Sequence, residues 1–307
     1  MDTHVIAVVG ATATGKSGLG VALARALGGE IVNADSMQLY QGMDIGTAKE
    51  PAGARQGVPH HLIDIWPVTQ AANVADYQRL ARAAIEEIAG RGRVPVLVGG
   101  SGLYVRAALD DLDFPGTDSA VRARLEEELA QLGPAVLHAR LAVLDPAAAG
   151  AILPSNGRRI VRALEVIEIS GRPFSATLPS YAQIRPAVQL GLTWPRPELD
   201  LRIAARVDRM WQAGLEAEVK HLAAQGLREG RTASRALGYQ QLLRCLDGEC
   251  TSEEARLETI RATRRFARRQ ESWFRRDPRI HWLDASGATA DGLLAAARRY
   301  VPAADPG

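Results

Sequence analysis

The sequence predicts an α/β fold: a parallel β-sheet flanked by helices and interrupted by an all-helical insertion. Three observations carry this expectation. Short β-branched apolar runs alternate with stretches of helical periodicity in the N-terminal third. A glycine-rich loop, Gly10–Ser17, joins the first apolar run to the first helical stretch. From Asp118 to Gly171 only helical periodicity is found.

Each element follows from local pattern. Val5–Val9 is a continuous apolar run, read as a buried parallel strand ended by Gly10. Leu19, Ala22, Leu23, Ala26 and Leu27 recur at helical spacing, and the helix stops at Gly28-Gly29. Glu30–Ala34 is a second strand, ending at Asp35, and residues 36–72 are loop-rich. Asn73 is a good N-cap for a helix running to Ala89. Pro95–Val98 is a further buried strand, ended by Gly99-Gly100. Helices over 119–131, 134–143, 146–152 and 156–169 make the insertion. The strand pattern returns at Val188–Trp194, followed by helical stretches 198–225 and 234–270, a strand at Ile280–Leu283 and a helix to Tyr300. The expected division is a catalytic core of 1–117 plus 186–301, a helical insertion of 118–185 and a frayed tail of 302–307.

Composition excludes several classes. A net charge of +2 rules out a polybasic or acidic-tail protein, and 47% hydrophobic residues exclude wholesale disorder. Cys245 and Cys250 are too few for a disulfide framework or a tetrahedral zinc site, so a reducing compartment is expected. No apolar run reaches the roughly 18 residues a membrane span needs, and the N-terminal run is too short for a signal peptide. A cytoplasmic protein without membrane contact is expected.

The charge is unevenly placed. Residues 1–110 carry a net −1, whereas residues 255–280 carry nine arginines against Glu258, Glu271 and Asp277, a net +6. Arg256, Arg261, Arg264, Arg265, Arg268 and Arg269 fall three and four apart, which makes a helical stripe suited to phosphates, and Trp273 and Phe274 beside it suit stacking. Weaker clusters on the insertion are Arg158, Arg159 and Arg162, then Arg122 and Arg124. Lysine is confined to Lys16, Lys49 and Lys220.

Gly10-Ala11-Thr12-Ala13-Thr14-Gly15-Lys16-Ser17 satisfies the phosphate-loop pattern at every fixed position, between a strand and a helix. The glycines let successive N–H groups converge on phosphate oxygens at a helix N-terminus. Lys16 adds a mobile charge, and Ser17 offers a hydroxyl to Mg²⁺. The core is therefore expected to be P-loop NTPase-like and to bind a di- or triphosphate. Strand 95–98 ends in glycine rather than the usual acid, so Asp35 is the carboxylate expected at the same crevice. It could hold a metal through water, act as a base, or simply form a turn. His60-His61 lacks a partner at ligand spacing and reads as structural.

Longer strings are more specific. They are Asp35-Ser36-Met37-Gln38-Leu39-Tyr40, Gly42-Met43-Asp44-Ile45-Gly46-Thr47-Ala48-Lys49 and Pro59-His60-His61-Leu62-Ile63-Asp64. Gly99–Tyr104, Arg159–Glu165, Leu237-Gly238-Tyr239 and Thr263–Gln270 followed by Trp273 continue the series. With the phosphate loop, they make the chain resemble the tRNA dimethylallyltransferases from about residue 5 to about residue 283. Departures from that family's pattern are Ala11 and Glu50 for Pro, Ser101 for Thr, and Asn156-Gly157 for Asp-Pro.

The resemblance implies transfer of a dimethylallyl group from dimethylallyl diphosphate to a tRNA adenosine. The acceptor is the exocyclic amine of the residue immediately 3′ of the anticodon, in tRNAs reading codons that start with U. The phosphate loop with Arg206 would then hold the diphosphate leaving group, with Mg²⁺ on Ser17. Asp35 would take the amine proton and Ser101 would contact the acceptor nucleotide or the diphosphate. The target base would be extruded from its loop into the site. The tRNA anticodon stem-loop would touch Asp35, Ser36, Met37, Gln38 and Ser101 in the core. On the insertion it would touch Arg122, Arg124, Arg158, Arg159, Ile160, Val161 and Arg162, and on the stripe Arg264, Arg265, Arg268 and Arg269. Lys49 would position a substrate loop, and a monomer is expected. Two other readings share the loop: an ATP-dependent small-molecule or nucleotide kinase, and a non-catalytic RNA-binding switch.

Overall fold

The structure is a computed structural model that describes residues 4–177 and 181–302. Its N-terminal elements are β1 (Val5–Gly10), α1 (Lys16–Leu27), β2 (Glu30–Asn33), β3 (His60–His61), α2 (Val74–Gly90), β4 (Pro95–Gly99) and α3 (Gly102–Leu109). Four helices follow: α4 (Ser119–Leu132), α5 (Pro134–Leu144), α6 (Pro146–Ala151) and α7 (Gly157–Ser170). The chain then forms β5 (Ala187–Thr193), α8 (Arg196–Gln212), α9 (Leu215–Ala223), α10 (Tyr239–Leu246), α11 (Ser252–Phe274), β6 (Ile280–Asp284) and α12 (Ala290–Arg298).

The strands pair in the order β3-β2-β4-β1-β5-β6, all parallel. β1 is buried along its whole length, as its unbroken apolar run Val5–Val9 requires of a central strand covered on both faces. Ile6 and Val8 join Leu19 and Leu23 of α1, Val96 of β4 and Leu190 of β5 in one core. Because every strand points the same way, the segments leaving β1, β2 and β4 emerge at one end of the sheet. Those segments are Gly10–Ser17, Ala34–Gln38 and Gly100–Ser101.

Several elements differ from the expected ones. β3 is an edge strand of two residues, too short to leave an alternation pattern; its His61 ring bonds at 2.7 Å to Glu30, a carboxylate also held by Arg91 at 2.8 Å. Burial of Glu30 is thus compensated by two partners, which explains His61 structurally. The stretch 198–225 is two helices because Gly214 adopts φ 96°, a left-handed turn unavailable to most side chains. The stretch 234–270 contains a short 3₁₀ turn, then α10 and α11. Thr251 and Glu254 restart the helix with reciprocal side-chain caps.

The chain divides into two compact units, Met1–Leu109 with Gln183–Gly307, and Asp110–Ala182. The second unit begins eight residues before the expected start at Asp118 and ends three residues before the expected end at Arg185. Asp111 N–H donates to the Ala182 carbonyl, which ties the two ends of this unit together. Leu125, Leu137, Leu141, Ile160 and Leu164 form its core. Asp118, Asp145 and Asn156 cap α4, α6 and α7. Asn156 therefore keeps the capping role despite its departure from Asp. Residues 303–307 of the tail expected to fray lie outside the described residues.

Candidate active site

The phosphate loop follows from β1 running straight into α1. Gly10 (φ 137°) turns the chain beside β5, where a Cβ would lie 2.8 Å from the Leu192 carbonyl oxygen. The loop is braced from inside by Thr14, whose hydroxyl donates to Ala11 O at 2.9 Å. It is braced from outside by the residue after β5 and by α8: Trp194 Nε1 donates to Thr14 O at 3.0 Å and Arg202 Nε to Ala13 O at 2.9 Å. The Arg202 guanidinium also lies 4.0 Å from the centre of the Trp194 ring. No side chain caps the start of α1, an arrangement able to receive an anion on its first N–H groups.

The loop forms one wall of a cavity of about 580 Å³. Lys16, Ser17, Asp35, Ser101 and Arg206 all line it. Lys16 Nζ donates to Ala11 O at 2.5 Å. Desolvation and then the nearby Arg206 charge bring the Lys16 ammonium down to about 7, opposed by Asp35. Burial likewise lowers the Arg206 guanidinium, again opposed by Asp35. Lys16, Arg202, Arg206, Arg209, Arg235 and Arg269 line this cavity against the carboxylates Asp35 and Glu50, so the site is short of negative charge, which a polyanion would complete.

Asp35 is fixed by its own turn. Asn33 accepts from the Asp35 N–H at 2.9 Å and donates to the Asp35 carbonyl at 3.0 Å. One Asp35 carboxylate oxygen accepts from Met37 N–H at 2.9 Å, so the turn role expected of an Asp-Ser pair is real and leaves the second oxygen for another partner. Ser101 meets this turn: its hydroxyl oxygen is 3.3 Å from both Ser36 N and Ser36 Oγ. Met37 and Gln38 line the same cavity. Gln38 Nε2 donates to Thr47 O at 3.1 Å, tying the turn to the Gly42–Lys49 string.

That string and the loop are held by residues to which sequence reasoning gave no role. Glu218 of α9 accepts from the N–H groups of Asp44, Ile45 and Gly46 at 3.1, 2.8 and 3.2 Å. Tyr239 donates to the same carboxylate at 2.5 Å. Gln270 of α11 bridges Thr12 and Gly100. Tyr239 and Gln270 had a sequence signal in their family strings. Glu218 had none, since its backbone N–H partners lie 172 to 174 residues away.

The expected RNA contacts separate into two groups. Arg265, Arg268 and Arg269 are exposed on α11, and Arg269 reaches the cavity. Arg264 is half-buried and donates to Asp200 O at 3.2 Å, bracing α11 on α8. In the second unit Arg158 and Arg159 are placed at the start of α7, and both are exposed. Arg122 and Arg162 instead hold the fully buried Glu165 at 2.6 and 2.9 Å, and Arg124 pairs with Glu128 and Glu168. Ile160 and Val161 are corrected: both side chains are core, 0% and 4% exposed, so neither presents a surface to RNA. Among the described residues no helix is long and apolar enough to cross a membrane.

Fold and cavity together define a P-loop NTPase-like α/β enzyme whose phosphate loop faces a carboxylate and an arginine-bearing helix. The family model described as IPP transferase matches residues 38–277, and the chain belongs to that family of tRNA-modifying prenyltransferases. It is 73% identical over 284 residues to the tRNA dimethylallyltransferase of Thermobifida fusca (strain YX), covering 91% of this chain and 89% of the relative. The tRNA dimethylallyltransferase of Streptomyces coelicolor is 70% identical over 94% of this chain and 92% of its own length. Among solved structures, a tRNA isopentenylpyrophosphate transferase from Bacillus halodurans superposes with a TM-score of 0.71 at 41% identity, covering 97% of this chain and 95% of that one. A eukaryotic dimethylallyltransferase described as acting on tRNA gives 0.79 at 27% identity, covering 92% and 74%. These relatives support the transferase reading and not the kinase alternative.

Proposed function

We propose that this chain transfers a dimethylallyl group from dimethylallyl diphosphate to the exocyclic amine of the adenosine immediately 3′ of the anticodon, in tRNAs reading codons that start with U. The observation that carries this reading is one cavity lined by Lys16, Ser17, Arg206, Asp35, Ser101 and Arg269. A leaving-group site, a proton acceptor and an RNA-facing cation share one space.

The allylic C–O bond breaks and its electron pair leaves with the diphosphate. The phosphate-loop N–H groups, Lys16 and Arg206 stabilise that charge as it develops. The amine nitrogen forms the new C–N bond and its proton passes to Asp35, which the Asn33 and Met37 contacts hold in place. Ser101, anchored to Ser36, orients the acceptor nucleotide or the diphosphate. The acceptor base must leave its stack to reach this depth, since the reacting groups line a concave site.

The donor set suits Mg²⁺: Ser17 and Asp35 are hard oxygen donors on the same cavity, and Mg²⁺ would neutralise charge on the diphosphate. Among the described residues no three His, Cys, Asp or Glu gather at a metal-binding spacing, so such an ion would take most of its oxygens from substrate and water. Arg158 and Arg159 in the second unit and Arg265, Arg268 and Arg269 on α11 are the tRNA-phosphate contacts. One chain carries every named group, so a monomer suffices, and work on tRNA fits a cytoplasmic protein.

The test follows label from dimethylallyl diphosphate into unmodified tRNA with Mg²⁺ present. Incorporation at the adenosine 3′ of the anticodon is expected. No incorporation, with ATP turnover on a small acceptor instead, would sink the reading.

A further inference from the structure

Gln270 lies on α11 and its side chain is buried. Its Oε1 accepts from Thr12 N–H at 2.9 Å, and its Nε2 donates to Gly100 O at 2.8 Å. One amide thereby joins the phosphate loop after β1 to the turn that carries Ser101 after β4. The fit is tight. A Cβ on Gly100 would lie 2.4 Å from Gln270 Nε2, and one on Gly102 would lie 2.1 Å from the Trp273 ring on the same helix. Helix α11 is seated directly on the Gly100–Gly102 turn.

The helix is also fixed from its other side. Arg196 of α8 donates to Arg264 O at 2.9 Å and to the Glu271 carboxylate at 3.1 Å. Arg268 and Arg269, just before Gln270, are exposed. Diphosphate loop, Ser101 turn and arginine stripe thus share one rigid support.

We propose that Gln270 is a positioning residue for prenyl transfer. It sets the separation between the diphosphate loop and Ser101, and registers both against the RNA-facing helix. This inference rests on the transferase reading above. The chemistry demands an amide: the group must accept at one end and donate at the other, at a fixed span. A carboxylate only accepts, and would set a negative charge against the Gly100 carbonyl oxygen. A neutral carboxylic acid of the same length could do both.

The experiment uses the full chain with tRNA, dimethylallyl diphosphate and Mg²⁺, comparing wild type with Gln270→Glu and Gln270→Ala. At pH 8, kcat of Gln270→Glu should fall roughly ten- to hundredfold, the scale of an ångström-sized misplacement, while the tRNA Kd stays within about threefold. Burial against the Gly100 carbonyl oxygen disfavours the ionised form of the introduced carboxyl and raises its pKa. Lowering the pH from 8 to 6 therefore protonates a growing share of it, and the variant-to-wild-type rate ratio should rise. Gln270→Ala cannot titrate, so its loss should not recover. A Gln270→Glu rate within about twofold of wild type at pH 8, or a loss expressed wholly as weaker tRNA binding, overturns the proposal. Should the variants not fold, amide hydrogen exchange on the wild type decides: the Thr12 N–H should be protected, and free exchange there removes the bridge. Wild type that transfers no label to tRNA would refute the transferase reading instead, leaving the Thr12 result to stand separately.

Discussion

The Lys49 ammonium donates to the carbonyl oxygen of Tyr40 at 2.6 Å, with its side chain only 4% exposed. It also pairs with Asp44 at 2.8 Å and with Asp64. Lys49 therefore closes the Gly42–Lys49 string onto the segment that follows Asp35. Lys49→Met keeps the apolar stem and deletes the charge, removing the partner of the Tyr40 carbonyl and of two exposed carboxylates. Denaturant unfolding should register a loss of about 1.5–3 kcal/mol. An unchanged midpoint would mean that water replaces the ammonium at no cost.

Asp35 should be separable from RNA affinity. Asp35→Asn preserves an acceptor for Met37 N–H but removes the base. Single-turnover transfer should slow by about 10²- to 10⁴-fold, with tRNA binding nearly intact by filter assay. Equal loss of both would remove Asp35 from the proton transfer.

Diphosphate binding should depend on pH through Lys16. Its pKa in the free protein is brought down to about 7 by desolvation and Arg206. Bound diphosphate favours the charged form, so affinity is greatest below about 7 and declines as pH rises past it. Calorimetry with inorganic diphosphate should record this decline, and Lys16→Met should flatten it. The variant also subtracts the titration of diphosphate itself. Equal slopes for both proteins would contradict the assignment.

The exposed arginines of α11 should act through salt. Replacing Arg265, Arg268 and Arg269 by Ala should weaken tRNA binding and reduce the log–log salt slope by roughly 2, about 0.7 for each single-strand phosphate no longer neutralised. Arg264→Ala should lower stability instead, because its guanidinium serves Asp200 O. A stable Arg264→Ala protein with a reduced salt slope would reverse the two roles.

The second unit depends on Glu165, which is fully buried between Arg122 and Arg162 and also accepts from Asp118 N–H at 3.2 Å. Glu165→Ala leaves two guanidinium groups without their shared carboxylate. A loss of about 3–5 kcal/mol is expected, read from unfolding of this unit by residue-resolved hydrogen exchange. Unchanged protection of α4 and α7 would count against it.

The sheet was largely legible because β1 and β4 are short apolar runs that end in glycine, and β2 and β5 are short segments centred on apolar residues. The phosphate loop was legible because its chemistry is local: eight consecutive residues contain the whole device. β3 escaped because two residues carry no periodicity. α3 escaped because its eight residues follow a glycine pair that also reads as loop. The supports of the site escaped for a different reason. Glu218, Gln270 and Arg202 act on backbone partners 170 to 258 residues away, and no local pattern announces those partners. Charge periodicity also overstated the arginine surface, since a helix repeat cannot tell an arginine facing RNA from one answering a buried carboxylate such as Glu165.

Glu218 gathers three successive backbone N–H groups from the Gly42–Lys49 string. The protein thus uses one geometric device twice. At the start of α1 the amides are the proposed seat of the diphosphate's oxygens; at the string, the protein's own carboxylate takes that place. The string is consequently ordered when the chain folds. Its conformational entropy is surrendered once, during folding, and not again at each encounter with substrate.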